Sequence, residues 1–304
     1  MAMILSSGEA LIDMLPRTST EGEACFSPYA GGAVMNTAIA LARLGSPSSF
    51  LTGLSSDLMG DVLRATLKAS NVNLDHAVLS DRPTTLAFVK LTNGHASYAF
   101  YDENTAGRMM TPADLPVLPD TITGLFTGGI WLAVEPCGTA LEALLTREAP
   151  ARVTMIDPNV RPGFVQDRAA YTARVDRMIG LSDIVKLSDE DSEWLYGRTD
   201  PQAILAKGAK VVLVTEGAKG ATAHTAHGSV HVSAPQITVA DTVGAGDTFN
   251  AGFLASLDQA GLLTKAQVAA LSDDALRAAL SLGTRAAAIT CSRPGANPPW
   301  AHEL

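Results

Sequence analysis

Asp241-Thr242-Val243-Gly244-Ala245-Gly246-Asp247 runs directly into the apolar helical pattern Thr248-Phe249-Asn250-Ala251-Gly252-Phe253-Leu254. Glycines two apart at a helix start permit a tight turn. Its backbone N–H groups have no intrahelical partner and carry the positive end of the macrodipole. Such a turn binds a phosphate with its main chain. A carboxylate there repels phosphate, so Asp247 needs a separate reason to be present. It either caps the helix, the ordinary role of such an Asp, or takes a proton from a hydroxyl that attacks the phosphate.

Other chemically able residues fall at strand ends. Met3-Ile4-Leu5-Ser6-Ser7 predicts a buried first strand, and Gly8-Glu9-Ala10-Leu11-Ile12-Asp13 follows it. Ligands of a parallel α/β sheet lie at the carboxyl ends of its strands, which is where Asp13 falls, although a single Asp after a strand also fits an ordinary loop. Asp157-Pro158-Asn159-Val160-Arg161 closes a second buried run, Val153-Thr154-Met155-Ile156. An Arg at such a strand end fits either a ligand site or a surface turn. Gly31-Gly32-Ala33-Val34-Met35-Asn36 opens a helix that stops near Leu44-Gly45.

Behind these residues, strands are expected at 49–53, 184–187 and 210–215, and helices at 57–68, from Ser188 through Leu195, and at 275–288. Asp57 and Asp61 suit a solvated helix start. Residues 84–91 and 96–101, strand-like runs around Asn93-Gly94, predict a hairpin. Its aromatics Phe88, Tyr98, Phe100 and Tyr101 are expected to pack with one another rather than to stack on a ligand. Strand–helix alternation from end to end predicts one α/β unit with a mostly parallel sheet flanked by helices.

The 304 residues are enough for one large core, and 47% are hydrophobic. A net charge of -9 with no basic run argues against nucleic acid. Gly217-Ala218-Lys219-Gly220 lacks the spacing of a Walker A loop, and there is no dinucleotide G-x-G-x-x-G. Cys25, Cys137 and Cys291 are far apart, and His224 and His227 have no partner at metal-ligand spacing. The N-terminus lacks a basic and apolar leader, no run reaches membrane-spanning length, and the terminal Ala301-His302-Glu303-Leu304 has no leader to make it a retention signal. A cytoplasmic protein without a membrane partner is expected.

D-T-V-G-A-G-D resembles the C-terminal signature of the ribokinase-like, or PfkB, family of sugar and nucleoside kinases, and G-G-A-V-M-N resembles its N-terminal one, with Ala33-Val34-Met35 where the family more often has Pro. The resemblance spans nearly the whole chain. It implies a single kinase domain over 1–304 with a small β lid, formed by about 14–30 and 84–103, that keeps water from the phosphate. It implies Asp247 as general base and an anion hole from Gly244, Ala245 and Gly246, with Arg161 near the transferring phosphate. Asp13, Gly31, Gly32, Asn36 and Arg108 would bind the sugar; Lys186, Ser188, Thr215, Gly217 and Gly220 would bind ATP.

The family's Asn-x-x-Glu that organises Mg2+ through water is here Ser188 and Asp191, which carries that role to the shorter acid. Some relatives hold a monovalent cation such as K+ at the position of Asp241, and a homodimer through the lid is a family option. G-E-A-L-I-D, D-P-N-V-R and T-E-G-A-K-G look most like the fructokinases of the family, which implies fructose as acceptor. 2-Keto-3-deoxygluconate, ribose or a nucleoside is the alternative acceptor, and a non-catalytic sugar sensor is the alternative of another class.

Overall fold

The computed structural model describes residues 2–92 and 95–304, with side chains 90–98 left aside, so Asn93, Gly94 and the ring of Tyr98 lie outside the described residues. The chain begins with strands β1 (Met3–Ser7), β2 (Leu11–Thr18) and β3 (Ala24–Gly31), then helix α1 (Ala33–Arg43). β4 (Ser48–Leu51), β5 (Gly53–Ser55), α2 (Leu58–Ala69) and β6 (Val78–Ser80) lead to the hairpin β7 (Leu86–Thr92) and β8 (His95–Tyr101). β9 (Ile122–Gly128), α3 (Cys137–Glu148), β10 (Val153–Asp157), α4 (Arg168–Leu181) and β11 (Ile184–Ser188) alternate regularly. There follow α5 (Asp189–Tyr196), α6 (Pro201–Ala206), β12 (Val211–Thr215), β13 (Ala221–Thr225) and β14 (Gly228–Val232). α7 (Ala245–Gln259), α8 (Lys265–Val268) and α9 (Asp273–Cys291) complete the chain.

The central sheet has the order β14-β13-β12-β11-β10-β9-β1-β4. From β12 to β4 every pairing is parallel, and β13 and β14 add an antiparallel edge. Successive residues along its strands bury into opposite layers, as the pleat requires. Ile4, Phe126, Met155 and Ile184 enter one core with α1, α7 and α9, while Leu5, Leu125, Ile156 and Val185 enter the other with α3 and α4. Helices thus cover both faces, the arrangement a parallel sheet needs to bury its strands. No helix among the described residues is long and apolar enough to cross a membrane.

A second sheet, in the order β3-β2-β7-β8, stands apart from the first. β2 is absent from the strands expected of the sequence; Pro16 and the polar residues around it hide the pattern, and pairing with β3 and β7 supplies what propensity does not. Asp13 is consequently a strand residue, opposite Tyr29 and Ala87. The aromatics divide between the two faces. Phe88 packs edge-on against Phe26 (5.0 Å) and Tyr101 (5.5 Å). Phe100, one residue before Tyr101, turns the other way and meets Phe164 of the main body at 4.3 Å. Asp57 is the N-cap of α2: its Oδ1 accepts from the Gly60 N–H at 2.7 Å, and its Oδ2 accepts from the Thr84 N–H at 2.8 Å where the second sheet departs.

Candidate active site

β1 pairs β4 on one side and β9 on the other, so the connections diverge there and open a crevice at the carboxyl ends of the strands. α7 points its N-terminus into this crevice. Gly244, the cap, has φ 79°, and an added Cβ would lie 2.7 Å from Ala296 Cβ, so both conformation and space demand glycine. The N–H groups of Gly246 and Asp247 have no partner among the described residues, whereas Ala245 N–H is already 3.3 Å from the Thr242 carbonyl. The N–H groups left open at this helix start, where an anion could be received, are therefore those of Gly246 and Asp247.

Asp247 is buried in the first turn of α7. Its Oδ2 accepts a hydrogen bond from Asn36 Nδ2 at 2.9 Å, and its Oδ1 accepts none from the described residues. Burial pushes the carboxyl up to about 6; the Asn36 hydrogen bond pulls it back, and the charge of Asp157 adds to the rise. Such a group is ionised at neutral pH yet remains a competent proton acceptor. Asn36 comes from the second turn of α1, whose Thr37 Oγ1 also donates to the Asp247 carbonyl at 3.3 Å.

Two cavities meet at this point. One, of about 590 Å³, is lined by Asp13, Gly32, Asn36, Phe100 and Asp247. The other, of about 1060 Å³, is lined by Lys186, Ser188, Asp191, Thr215 and Gly217. Arg161, Ala245 and Gly246 belong to both walls. A small acceptor and a larger donor can thus occupy adjoining sites, with the helix N-terminus and one guanidinium at the junction. Arg161 forms no ion pair with a carboxylate among the described residues; Nη1 donates to the Val160 carbonyl at 3.1 Å. Asn159 before it is left-handed, φ 45°, and turns the chain after β10 back toward the site.

Beneath the hole, Lys186 Nζ and Asp157 Oδ2 pair at 3.0 Å, both almost wholly buried. Asn250 Nδ2 donates to the same Asp157 oxygen at 2.7 Å. Burial works against the Lys186 charge, but Asp157, Asp191 and Asp247 overcome it and hold the ammonium above the ordinary lysine range. An added Cβ at Gly246 would stand 3.4 Å from Lys186 Nζ, which places this cation under the anion hole.

The remaining expected residues divide. Burial pushes Asp13 up to about 6. Gly31 lies beside it, where an added Cβ would meet Asp13 Oδ2 at 2.5 Å. Asp191 braces the fold: Oδ1 accepts from Val160 N–H at 2.8 Å, and Oδ2 from Ser188 N–H and Oγ at 3.0 and 2.7 Å. Asp241 accepts from Val243 N–H at 3.1 Å and from Gly295 N–H at 2.9 Å, tying the turn before α7 to the segment after α9. Arg108 lines neither of these two cavities; its Nη1 pairs with Asp102 Oδ2 at 2.9 Å. Gly220 also lies off both walls, and its missing side chain makes room for the Val232 carbonyl, 2.1 Å from an added Cβ.

Sequence reasoning passed over Glu9, Phe164 and Asn250. Glu9 lines the smaller cavity, 2% exposed, with Oε1 accepting from Ala33 N–H at 2.9 Å. The available signal was an acid between a buried strand and the apolar run Ala10-Leu11-Ile12, where a charged residue is out of place.

An anion hole at a helix N-terminus, a buried carboxyl beside it and two cavities sharing that wall define a phosphotransferase acting on an alcohol. The model of the pfkB family carbohydrate kinases matches residues 1–303, and the chain belongs to that family. It is 56% identical over 279 residues to a fructokinase of Rhizobium leguminosarum bv. trifolii, covering 90% of this chain and 86% of that protein. Its fold matches the crystal structure of a fructokinase from Xylella fastidiosa with bound ATP at a TM-score of 0.89, with 27% identity, 97% of this chain and 93% of that one. A fructokinase double mutant from Vibrio cholerae O395, in fructose, ADP and potassium ion bound form, matches at 0.84 with 26% identity, 97% and 94% of the two chains.

Proposed function

We propose that the chain transfers the γ-phosphoryl group of ATP to fructose, giving fructose 6-phosphate. The observation that carries this reading is the shared wall of the two cavities, where Asp247 lies on the acceptor side and Gly246 and Arg161 face both. The fructokinase relative at 56% identity supports the sugar.

Asp247 Oδ1 takes the proton of the attacking hydroxyl while Asn36 holds Oδ2. The N–H groups of Gly246 and Asp247 receive the transferring oxygens, and Arg161 offsets their charge. Asp13, Gly32 and Asn36 orient the sugar. The acceptor is uncharged: Glu9, Asp13 and Asp247 line its cavity against one cation, Arg161, which repels a sugar already phosphorylated. ATP occupies the larger cavity, with Lys186, Ser188, Thr215 and Gly217 around it.

Mg2+ supplies neutralisation of the phosphate charge. Among the described residues no three His, Cys, Asp or Glu converge on a cage, and Glu190 and Asp191 line the ATP cavity, which fits an ion held mostly by phosphate and water. K+ is proposed at Asp241, whose oxygens each keep a lone pair beyond the N–H they accept.

The second sheet is proposed as a lid over the sugar, supported by the Phe100–Phe164 contact, and as the surface of a homodimer, supported by half-exposed Phe26, Tyr29 and Tyr101. Three free cysteines support a cytoplasmic setting. Coupled ADP release across fructose, ribose, 2-keto-3-deoxygluconate, adenosine and fructose 6-phosphate tests the assignment. Fructose is expected to give the highest kcat/KM; a different best acceptor keeps the kinase and removes fructose. Sugar binding without ADP release would make the chain a sensor.

A further inference from the structure

Glu9 carries more of the site's geometry than its position in a turn suggests. α1 has a glycine cap with no side-chain hydrogen bond and no acid in its first turn, so the positive helix end lacks local compensation. Glu9, from the end of β1, fills that place through Oε1 and the Ala33 N–H. Its carboxyl occupies space that Gly129 leaves open, and Gly32 makes room for its backbone carbonyl. An added Cβ at Gly129 would lie 2.0 Å from Oε2, and one at Gly32 would lie 2.8 Å from the Glu9 carbonyl. The second oxygen, Oε2, is buried with no hydrogen-bond partner, and the side chain lines the cavity that holds Asp247.

Resting on the kinase reading above, we propose that Glu9 is a positioning residue for the transfer step. It fixes the head of α1, and with it Asn36, against Asp247. The charged groups facing it are Asp247 from α7, Asp13 from β2 and Arg161 after β10, with the phenol of Tyr171 from α4 in range. Ala33 and Gly129, the contacts on the other sides, bring no charge. Burial, reinforced by the Asp247 charge, pushes Glu9 up to about 7, above Asp247 at about 6, so Glu9 stays largely uncharged while Asp247 ionises.

The test is the pH dependence of kcat/KM for fructose in the full-length protein, for the natural chain, Glu9→Gln and Glu9→Leu, with thermal unfolding alongside. Glu9→Gln keeps an acceptor for Ala33 N–H but removes the neighbouring charge. Its kcat and acid midpoint are expected to stay close to those of the natural chain, kcat within about threefold, because the hydrogen bond that holds the head of α1 is kept. Glu9→Leu removes the acceptor too, and its kcat is expected to drop at least tenfold below that of Glu9→Gln, since loosened alignment at the reacting atoms is costly. A Glu9→Gln chain impaired as much as Glu9→Leu overturns the proposal, as does a folded Glu9→Leu with the kcat of Glu9→Gln. Where Glu9→Leu does not fold, Glu9→Ala takes its place with the same expected loss. No turnover by the natural chain removes the kinase reading and this inference together; turnover at equal kcat in all three chains removes this inference only.

Discussion

Asn36 Nδ2 and Asp247 Oδ2, 211 positions apart in the chain, lie 2.9 Å from each other and join the two glycine-led helices across the crevice. The contact leaves Oδ1 of Asp247 open to the acceptor cavity and pins the other oxygen. Asn36→Ala removes that pin and leaves a buried carboxylate without the one side-chain donor it has among the described residues. Stability is expected to fall by roughly 1–3 kcal/mol. The acid limb of activity is expected to move to higher pH, because the hydrogen bond that pulls Asp247 down is gone. Denaturant unfolding and a pH–rate profile check both.

Lys186 and Asp157 form a pair that neither partner leaves cheaply. Lys186→Met leaves the Asp157 carboxylate buried with only Asn250 and backbone donors around it, which is expected to cost about 3–5 kcal/mol in urea unfolding. It also withdraws the cation under Gly246, so KM for ATP is expected to rise in whatever fraction remains folded.

Gly244→Ala tests the shape of the anion hole. The left-handed conformation and the contact with Ala296 together are expected to cost about 1–3 kcal/mol and to reduce kcat, with little change in fructose binding measured by calorimetry.

Arg108 and Arg161 separate the structure from the bare resemblance. Arg161→Ala is expected to lower kcat by about 10²–10³, the loss associated with one charge-stabilising donor. Arg108→Ala breaks the pair with Asp102 and the hydrogen bond to the Glu135 carbonyl, both off the two cavity walls, and is expected to leave the fructose KM within about twofold, costing about 1–3 kcal/mol in stability because Asp102 is buried. Steady-state kinetics of the two variants distinguish these outcomes.

The fold was legible wherever one layer decides the pattern. Buried runs such as Val211–Thr215 and the glycine-opened helices announce themselves, because burial on both faces and a positive φ leave few residue choices. β2 was not legible, since its strand state depends on partners 6 to 74 positions away, from Ala24 of β3 opposite Thr18 to Leu86 of β7 opposite Ile12, not on its own residues. Of the site, Asp247, Asn36 and Arg161 stand out because they follow glycine-led helix starts or a buried strand, where a parallel sheet places its ligands. Glu9 looked like one acid in a turn, and its role depends on Ala33 and Gly129 arriving from elsewhere. Arg108 is the opposite case: a cation leaving the second sheet suits a ligand, and its pairing with Asp102 could not be read from the sequence.

ADP release with fructose from pH 5 to 9, for the natural chain and Asp247→Asn, tests the central claim most directly. Asp247 must be ionised to accept the proton, so natural activity is expected to rise with pH through about 6 and then level. Asp247→Asn is expected to lose about 10²–10⁴-fold in kcat. It should unfold no more readily at neutral pH, because a carboxyl whose folded value is raised loses stability as pH climbs from its unfolded value to about 6. A folded Asp247→Asn protein that turns over fructose within tenfold of the natural rate, with the same acid limb, would contradict the assignment of Asp247 as the base.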